Sequence, residues 1–236
     1  MSDLFFGNLS SKRSHDIYLA SISDQKEYVK NNFMLGDNTT RILFNDSKLL
    51  GFMIARHKFV AKMFEGYKNV LEIGCQEGFG SMIVAPDVEN MVAIDFYKPY
   101  IDSCLNRIGI NIDFRGYDII DGPIKENFDG IFAMDVIEHI DQTDETKFME
   151  NVVESLQPHG AFIVGSPSLE SQQYASKSSK IGHINCKTGK QLFNICKNFF
   201  HNVFMFGMND EVLHTGFLPM AHYIIALCTG VKKTDK

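Results

Sequence analysis

The chain has 236 residues, of which 44% are hydrophobic and 22% are charged. This composition can form one compact hydrophobic core, and it excludes a disordered or fibrous protein, whose residues could not offset the entropy of ordering. The formal net charge of −6 provides no overall positive field for polyanions, so we expect no nucleic-acid partner.

The amino terminus indicates neither export nor membrane insertion. It reads MSDLFFGNLS, without a basic region followed by a long apolar stretch. The five cysteines are odd in number and have no Cys-x-x-Cys spacing, which fits reduced thiols better than disulfides or structural zinc. We therefore expect a cytoplasmic protein with no membrane contact, and the sequence leaves its oligomeric state open.

Residues 1–46 are polar and irregular apart from a possible helix near residues 17–33, and we interpret them as an N-terminal helical cap or lid. Ser47 is a plausible N-cap for a helix that ends at Phe64, because Gly66 follows as a stop. On this helix, Arg56 is expected to face solvent and His57 to pack against the core.

From residue 70 onwards, short apolar runs alternate with helical stretches, a pattern typical of a parallel sheet. Strands are predicted over residues 70–73, 91–94, 110–114, 130–134, 161–164, 201–206 and 222–228, and helices over residues 100–107, 143–156 and 187–197. The prediction is an α/β, Rossmann-like sheet of seven mostly parallel strands, with helices on both faces and an antiparallel last strand. This domain spans residues 47–230, and residues 231–236 are expected to be a disordered tail.

A glycine-containing loop follows the first strand, where Glu72 precedes Gly74-Cys75-Gln76-Glu77-Gly78. Its glycines permit close backbone approach to a ligand at the next helix. Seventeen residues beyond Gly78, the second strand ends at Asp95, where a carboxylate can accept both hydroxyl protons of a ribose. A nucleotide-like cofactor is predicted, while a purely structural turn and a helix-capping Asp95 remain the alternatives.

These residues resemble the first motif of the class I S-adenosylmethionine-dependent methyltransferases, an acidic residue followed by Gly-x-Gly-x-Gly, with Gln76 in place of the middle glycine. Residues 128–140 are similar to the family's fourth-strand motif, and the resemblance covers residues 70–165. It implies S-adenosylmethionine as cofactor. The residues implied to bind it are Glu72, Gly74, Cys75, Gln76, Gly78, Asp95, Phe96, Tyr117, Asp118, Ile119, Met134, Asp135 and Val136.

Three later segments, residues 165–176, 182–187 and 208–217, are similar to bacterial methyltransferases of surface-sugar and capsule gene clusters. This second resemblance implies O-methylation of a small polar acceptor, such as a sugar or a nucleotide-linked phosphate or phosphoramidate. N-methylation of an amino sugar, a nicotinamide-dependent oxidoreductase and a non-catalytic cofactor-binding protein are the alternatives. A nucleic-acid amino-methyltransferase is disfavoured, because residues 135–138 lack the Asn/Asp-Pro-Pro-aromatic run.

Ligands of an open parallel sheet collect at the carboxyl ends of its strands, and the loops expected there contain the candidate acceptor-site residues. A general base is predicted among His139, His183 and His214, and substrate binding is predicted for Lys12, Arg13, His15, Tyr174, Lys180 and Asn209. Structural histidines and solvated lysines are the alternatives. Asp135 and Glu138 have the chemistry of metal ligands, but the sequence shows no supporting pattern and no metal is expected.

Overall fold

The computed structural model describes Tyr18 and residues 35–104 and 111–232. The described residues from Leu35 onwards belong to one compact unit. The predicted substrate residues Lys12, Arg13 and His15 lie outside the described residues, as does the predicted helix at residues 17–33 except for Tyr18.

The helices and strands alternate as the sequence predicts. The helices are α1 (Asp37–Asn45), α2 (Ser47–Phe64), α3 (Ser81–Val84), α4 (Lys98–Cys104), α5 (Glu145–Ser155), α6 (Lys177–Gly182) and α7 (Gly189–Phe199). The strands are β1 (Asn69–Ile73), β2 (Asn90–Asp95), β3 (Ile112–Gly116), β4 (Phe128–Met134), β5 (Leu156–Pro167), β6 (Phe200–Asn209), β7 (Val212–His214) and β8 (Tyr223–Val231). Short 3₁₀ turns lie at Ala85–Asp87, Ile137–His139, Glu170–Tyr174 and Leu218–Met220.

One mixed sheet joins the strands in the order β3-β2-β1-β4-β5-β8-β6-β7. The pairings among β1 to β5 are parallel, whereas β8 is antiparallel to both β5 and β6. The predicted fold class is confirmed, with eight strands among the described residues instead of seven. The extra strand is β7, a short edge strand whose backbone pairs with Gly207–Asn209. It lies between the strands predicted over residues 201–206 and 222–228.

Buried side chains pack on both faces of the sheet, as the alternation of side chains along a strand requires. Leu71 and Ile73 of β1 belong to a cluster that includes Phe148 of α5 and Leu192 of α7. Val70 packs in a second cluster on the opposite face, with Val60 and Phe64 of α2. Because Glu72 alternates with Leu71 and Ile73, its side chain points to the α2 face.

The helix boundaries follow the local chemistry of the chain. Helix α2 ends at Phe64, as predicted. It begins at Ser47, and its N-cap is not Ser47 but Asp46, whose carboxylate accepts a hydrogen bond from the Lys48 amide. Strand β8 continues through Val231, which pairs with Phe200, so the part of the chain expected to be a tail is ordered at its first residue. No helix in the described ranges has the length and apolar character required to cross a membrane.

Candidate active site

The site is assembled at the carboxyl ends of β1, β2 and β4. Strand β1 lies between β2 and β4. The strands continue outward from β1 to β2 and β3 on one side and to β4 and β5 on the other. Doubly wound sheets open a ligand crevice at the point where the strand order reverses in this way. The Ile94 carbonyl of β2 accepts hydrogen bonds from the amides of Gly74 and Cys75, at 2.8 and 3.0 Å. These two bonds hold the loop after β1 against the end of β2.

The glycine loop has the backbone that its sequence predicts. Gly74 and Gly78 adopt φ values of 78° and 72°, in the left-handed region that favours glycine. A Cβ on Gly74 would lie 2.4 Å from Cγ2 of Val136, so the loop and the chain after β4 approach as closely as glycine allows. Gln76, which replaces the middle glycine, also has a positive φ of 47°, a strained conformation for a residue with a side chain.

Asp95 lies beside this loop. Its Oδ2 accepts a hydrogen bond from the Gln76 amide at 2.9 Å and its Oδ1 accepts one from the Tyr97 amide at 2.8 Å. Burial raises the pKa of Asp95, although these two amide donors lower it. Each oxygen retains lone-pair capacity for a further donor, and the adjacent Phe96 is 75% exposed. A carboxylate next to an exposed aromatic ring fits a ribose diol and the base attached to it.

The residues after β3 meet Asp95 through the backbone. The Tyr117 amide donates to the Asp95 carbonyl at 3.0 Å, and the Asp118 carboxylate accepts from the Ile120 amide at 2.9 Å. The charge of Asp118 also raises the pKa of Asp95, and its contact with the cofactor stays a prediction. Ile119 is only 3% exposed and packs in the core cluster with residues of α5 and α7, and its carbonyl accepts a hydrogen bond from the Asn151 side chain at 2.7 Å, so its side chain is not available to a ligand.

Glu72 and Cys75 support the loop from below. Glu72 is 3% exposed; it accepts a hydrogen bond from the Ser81 hydroxyl and lies 3.6 Å from Nε2 of His57. Burial lowers the pKa of His57, whereas interactions led by the hydrogen bond and the negative charge of Glu72 raise it by a larger amount. The pKa of His57 is therefore raised overall. Cys75 is buried as well. Both residues were predicted to bind the cofactor, and their contacts indicate a role in holding the loop.

Glu77 connects the loop to the preceding helix, a role that the sequence did not reveal. Its carboxylate accepts hydrogen bonds from the amides of Asn38 (2.9 and 3.0 Å) and Thr39 (3.1 Å), in the first turn of α1. The N-cap residue, Gly36, offers no side chain of its own, so Glu77 supplies the acceptor that N-terminal amides require. The Asn38 side chain also donates to Gln76. These bonds hold helix α1 against the glycine loop, residues 74–78, which we call the cofactor loop after its predicted role.

Asp135 follows β4 and is bound by Arg56, a residue predicted to face solvent. Nη1 of Arg56 donates to both of its oxygens, at 3.0 and 2.9 Å, and the guanidinium lies 3.7 Å over the Tyr223 ring. Arg56 points inward from α2, so the predicted exposure is wrong. Asp135 has a φ of 57°, so a second strained residue lies at this edge. Met134, predicted to line the cofactor, is buried beside Tyr223.

Glu138, His139 and His183 come together beyond Asp135. Glu138 is fully buried, and neither of its carboxylate oxygens has a hydrogen-bond partner among the described residues. Burial, followed by the charge of Asp135, raises its pKa well above the usual range. The rings of His139 and His183 meet edge to face with centroids 5.2 Å apart. Burial and the neighbouring His139 lower the pKa of His183.

A cavity opens beside His183. It has a volume of about 320 Å³, within the range of small-molecule sites, and its lining is mostly polar: Gln142, Leu169, Gln172, Lys180, His183, Ile184, Asn185, Cys186, Lys187 and Gln191. Lys180, predicted to bind substrate, lies on this wall. Tyr174 is 82% exposed and is not among the lining residues.

His214 and Asn209 form a separate pair in the β6–β7 hairpin. Nε2 of His214 lies 2.8 Å from Oδ1 of Asn209, and Nδ1 accepts a hydrogen bond from the Gly216 amide. The Asn209 amide group donates to the Met220 carbonyl. Since both ring nitrogens of His214 have partners, His139 and His183 are better placed to act on a substrate.

Comparisons with known proteins agree with this architecture. Residues 70–160 match a family described as "Methyltransferase domain". A Mycolicibacterium smegmatis protein named "Probable S-adenosylmethionine-dependent methyltransferase" is 26% identical over 102 residues. That match covers 43% of this chain and 38% of the relative, so the chain spans well under half the length of the curated protein it matches.

Two solved structures have the same fold. The N-methyltransferase NodS from Bradyrhizobium japonicum WM9, in complex with S-adenosyl-L-homocysteine, superposes with a TM-score of 0.60 at 18% identity, covering 83% of this chain and 93% of NodS. A SAM-dependent methyltransferase from Archaeoglobus fulgidus gives a TM-score of 0.63 at 17% identity, covering 82% and 100%. The chain is thus similar in fold to methyltransferases, and residues 70–160 in particular match a methyltransferase domain.

Proposed function

We propose that this protein transfers the methyl group of S-adenosylmethionine to a hydroxyl of a small polar acceptor. The observation that carries the proposal is the proximity of two sets of groups: the loop from Gly74 to Gly78 with Asp95, and the Glu138, His139 and His183 cluster after β4. The first set fits the cofactor, because Asp95 offers two oxygens to a ribose. The second set lies beside a polar cavity of suitable size.

The cofactor, when bound, supplies an electrophilic methyl group on a sulfonium sulfur. The chain positions the two reactants and promotes loss of the acceptor's proton. A neutral amine attacks through its lone pair before it loses a proton, whereas a hydroxyl needs a deprotonating group as the new bond forms. The carboxylate and two imidazoles at residues 138, 139 and 183 therefore favour a hydroxyl acceptor, with an amino sugar as the alternative.

The cavity lining supports a polar, partly anionic acceptor. Lys180 and Lys187 both contribute to its wall, and lysine is a common ligand of phosphate groups. Lys187 is buried and paired with Glu145. Lys180 donates a hydrogen bond to the Gln173 carbonyl at 3.0 Å and is the cation of the two without an ion pair among the described residues. A sugar or a nucleotide-linked phosphate or phosphoramidate has this chemistry, and the resemblance to methyltransferases of surface-sugar clusters agrees with it.

The test is a labelling experiment. The purified protein is incubated with methyl-labelled S-adenosylmethionine and fractionated nucleotide-sugar extracts, and the labelled product is identified by mass spectrometry and NMR. A methyl ether or methyl ester on a small sugar or phosphate compound is the expected product. Label on nitrogen would establish the amino-sugar alternative, and cofactor binding without a labelled product in any fraction would contradict small-molecule methyl transfer.

A further inference from the structure

The carboxyl group of Glu138 is buried in the folded protein. Its side chain has no solvent exposure, and both of its oxygens lack hydrogen-bond partners among the described residues. Burying a carboxylate without a partner is costly, because the protein interior does not replace the lost hydration. Such a group either takes up a proton or is satisfied by a further group, such as a cation.

The neighbours of Glu138 identify the chemistry of that group. One ligand atom from each of Glu138, His139 and His183 lies within 4.8 Å of the other two. Ligands of a divalent transition-metal ion lie about 2.0 to 2.2 Å from it, so the ligand atoms of a tetrahedral site are about 3.3 to 3.6 Å apart. Side-chain rotations that shorten the separations of the three atoms by up to about 1.5 Å would complete the site.

The two imidazoles have the supporting contacts that the sequence could not show. Nδ1 of His139 lies 2.8 Å from the Gly182 carbonyl, and Nδ1 of His183 lies 3.0 Å from Oε1 of Gln172. Both partners are acceptors, so each Nδ1 carries the proton and each Nε2 keeps its lone pair. Metal-binding histidines are oriented in this way by a carbonyl or carboxylate behind the ring.

Asp135 is not part of the group of ligand atoms, and Arg56 neutralises its charge through hydrogen bonds to both oxygens. The amide of Asn185 donates to the Glu138 carbonyl at 2.9 Å, and this bond holds the segment that contains His183 over the 3₁₀ turn that contains His139. The backbone thus brings together two ligands that are 44 residues apart in sequence.

We propose that Glu138, His139 and His183 bind a divalent transition-metal cation. Two imidazoles and one carboxylate suit Zn²⁺, Mn²⁺, Fe²⁺ or Co²⁺ better than Mg²⁺ or Ca²⁺. Three protein ligands leave at least one coordination position for an acceptor oxygen, whose proton a cation makes more acidic. The catalytic role of the cation, though not its binding, rests on the proposed function.

Metal binding is measured first on the full chain, after treatment with a chelator and without an affinity tag. Zn²⁺ and Mn²⁺ are titrated by calorimetry, and Co²⁺ is titrated by its visible absorption, which reports nitrogen and oxygen coordination. One equivalent per chain is expected. The Glu138→Gln and His183→Ala variants should bind at least tenfold more weakly, while His201→Ala, which removes an exposed imidazole on β6, should bind like the parent.

Circular dichroism and S-adenosyl-L-homocysteine binding establish that each variant is folded and retains its cofactor site. Substoichiometric binding by the parent, or affinities of both ligand variants within threefold of the parent, overturns the metal proposal. Methyl transfer by chelator-treated protein would also exclude a catalytic cation while leaving the proposed function intact. A stoichiometric cation in a protein that methylates no acceptor would contradict the proposed function alone.

Discussion

Replacement of Glu77 by alanine tests whether the cofactor loop and helix α1 form one structural unit. Glu77 is 4% exposed, and its carboxylate accepts from the Thr39 amide and hydroxyl at 3.1 and 3.4 Å, as well as from the Asn38 amide. In the Glu77→Ala variant, the Asn38 amide can regain water, but the buried Thr39 donors cannot. Leaving such donors without a partner costs about 1 to 3 kcal/mol, and loss of a negative charge at a helix N-terminus adds about 0.3 to 1 kcal/mol.

The expected decrease in the free energy of unfolding is therefore about 1 to 4 kcal/mol, measured by urea denaturation. For a domain of this size it corresponds to a decrease in Tm of roughly 3 to 16 °C. The matched control is Glu150→Ala, at an exposed position of α5, which should change stability by less than about 0.5 kcal/mol.

Hydrogen exchange locates the effect. The amides of Asn38 and Thr39 should lose protection in Glu77→Ala, and affinity for S-adenosyl-L-homocysteine should fall by about tenfold, since the loop must be ordered again on binding. A Glu77→Ala variant that matches Glu150→Ala in stability and retains protection at these amides would refute the reasoning that Glu77 holds α1 on the loop.

Three further predictions concern the same region. Asp95→Ala should weaken calorimetric binding of S-adenosyl-L-homocysteine about tenfold to a hundredfold, because a charge-assisted hydrogen bond contributes roughly 1.5 to 3 kcal/mol; unchanged affinity would remove Asp95 from the cofactor site. The raised pKa of His57 beside Glu72 predicts a contribution to stability that is complete below the unfolded pKa of about 6.5 and is lost as pH rises through the folded pKa. Urea titrations between about pH 5.5 and 8 should show this decline in the parent and not in a His57→Gln variant. Gly74→Ala should destabilise by about 3 kcal/mol through backbone strain and its clash with Val136, and Val136→Ala in the same chain should restore only the part due to the clash.

The sequence by itself determined the fold class and the position of the glycine loop after β1. Both follow from local signals: near-continuous apolar runs predict buried strands, and the glycines after β1 predict a backbone that other residues rarely adopt. The same local reasoning located Asp95 at the end of β2 and His139 after β4. Helix α2 ended at Phe64 as predicted, because its stop signal, Gly66, lies within the same stretch of chain.

Only the tertiary structure decided which side chains meet. Arg56 was expected to face solvent, whereas its contact with Asp135 depends on the packing of α2 against β4. Glu77 reaches α1 across 38 or 39 residues, and His183 reaches His139 through a loop held by the Glu138 carbonyl. Periodicity in a sequence reports which face of an element is buried, but it carries no information about which distant group faces it. Those pairings are set by the order of the strands and by the path of the loops between them.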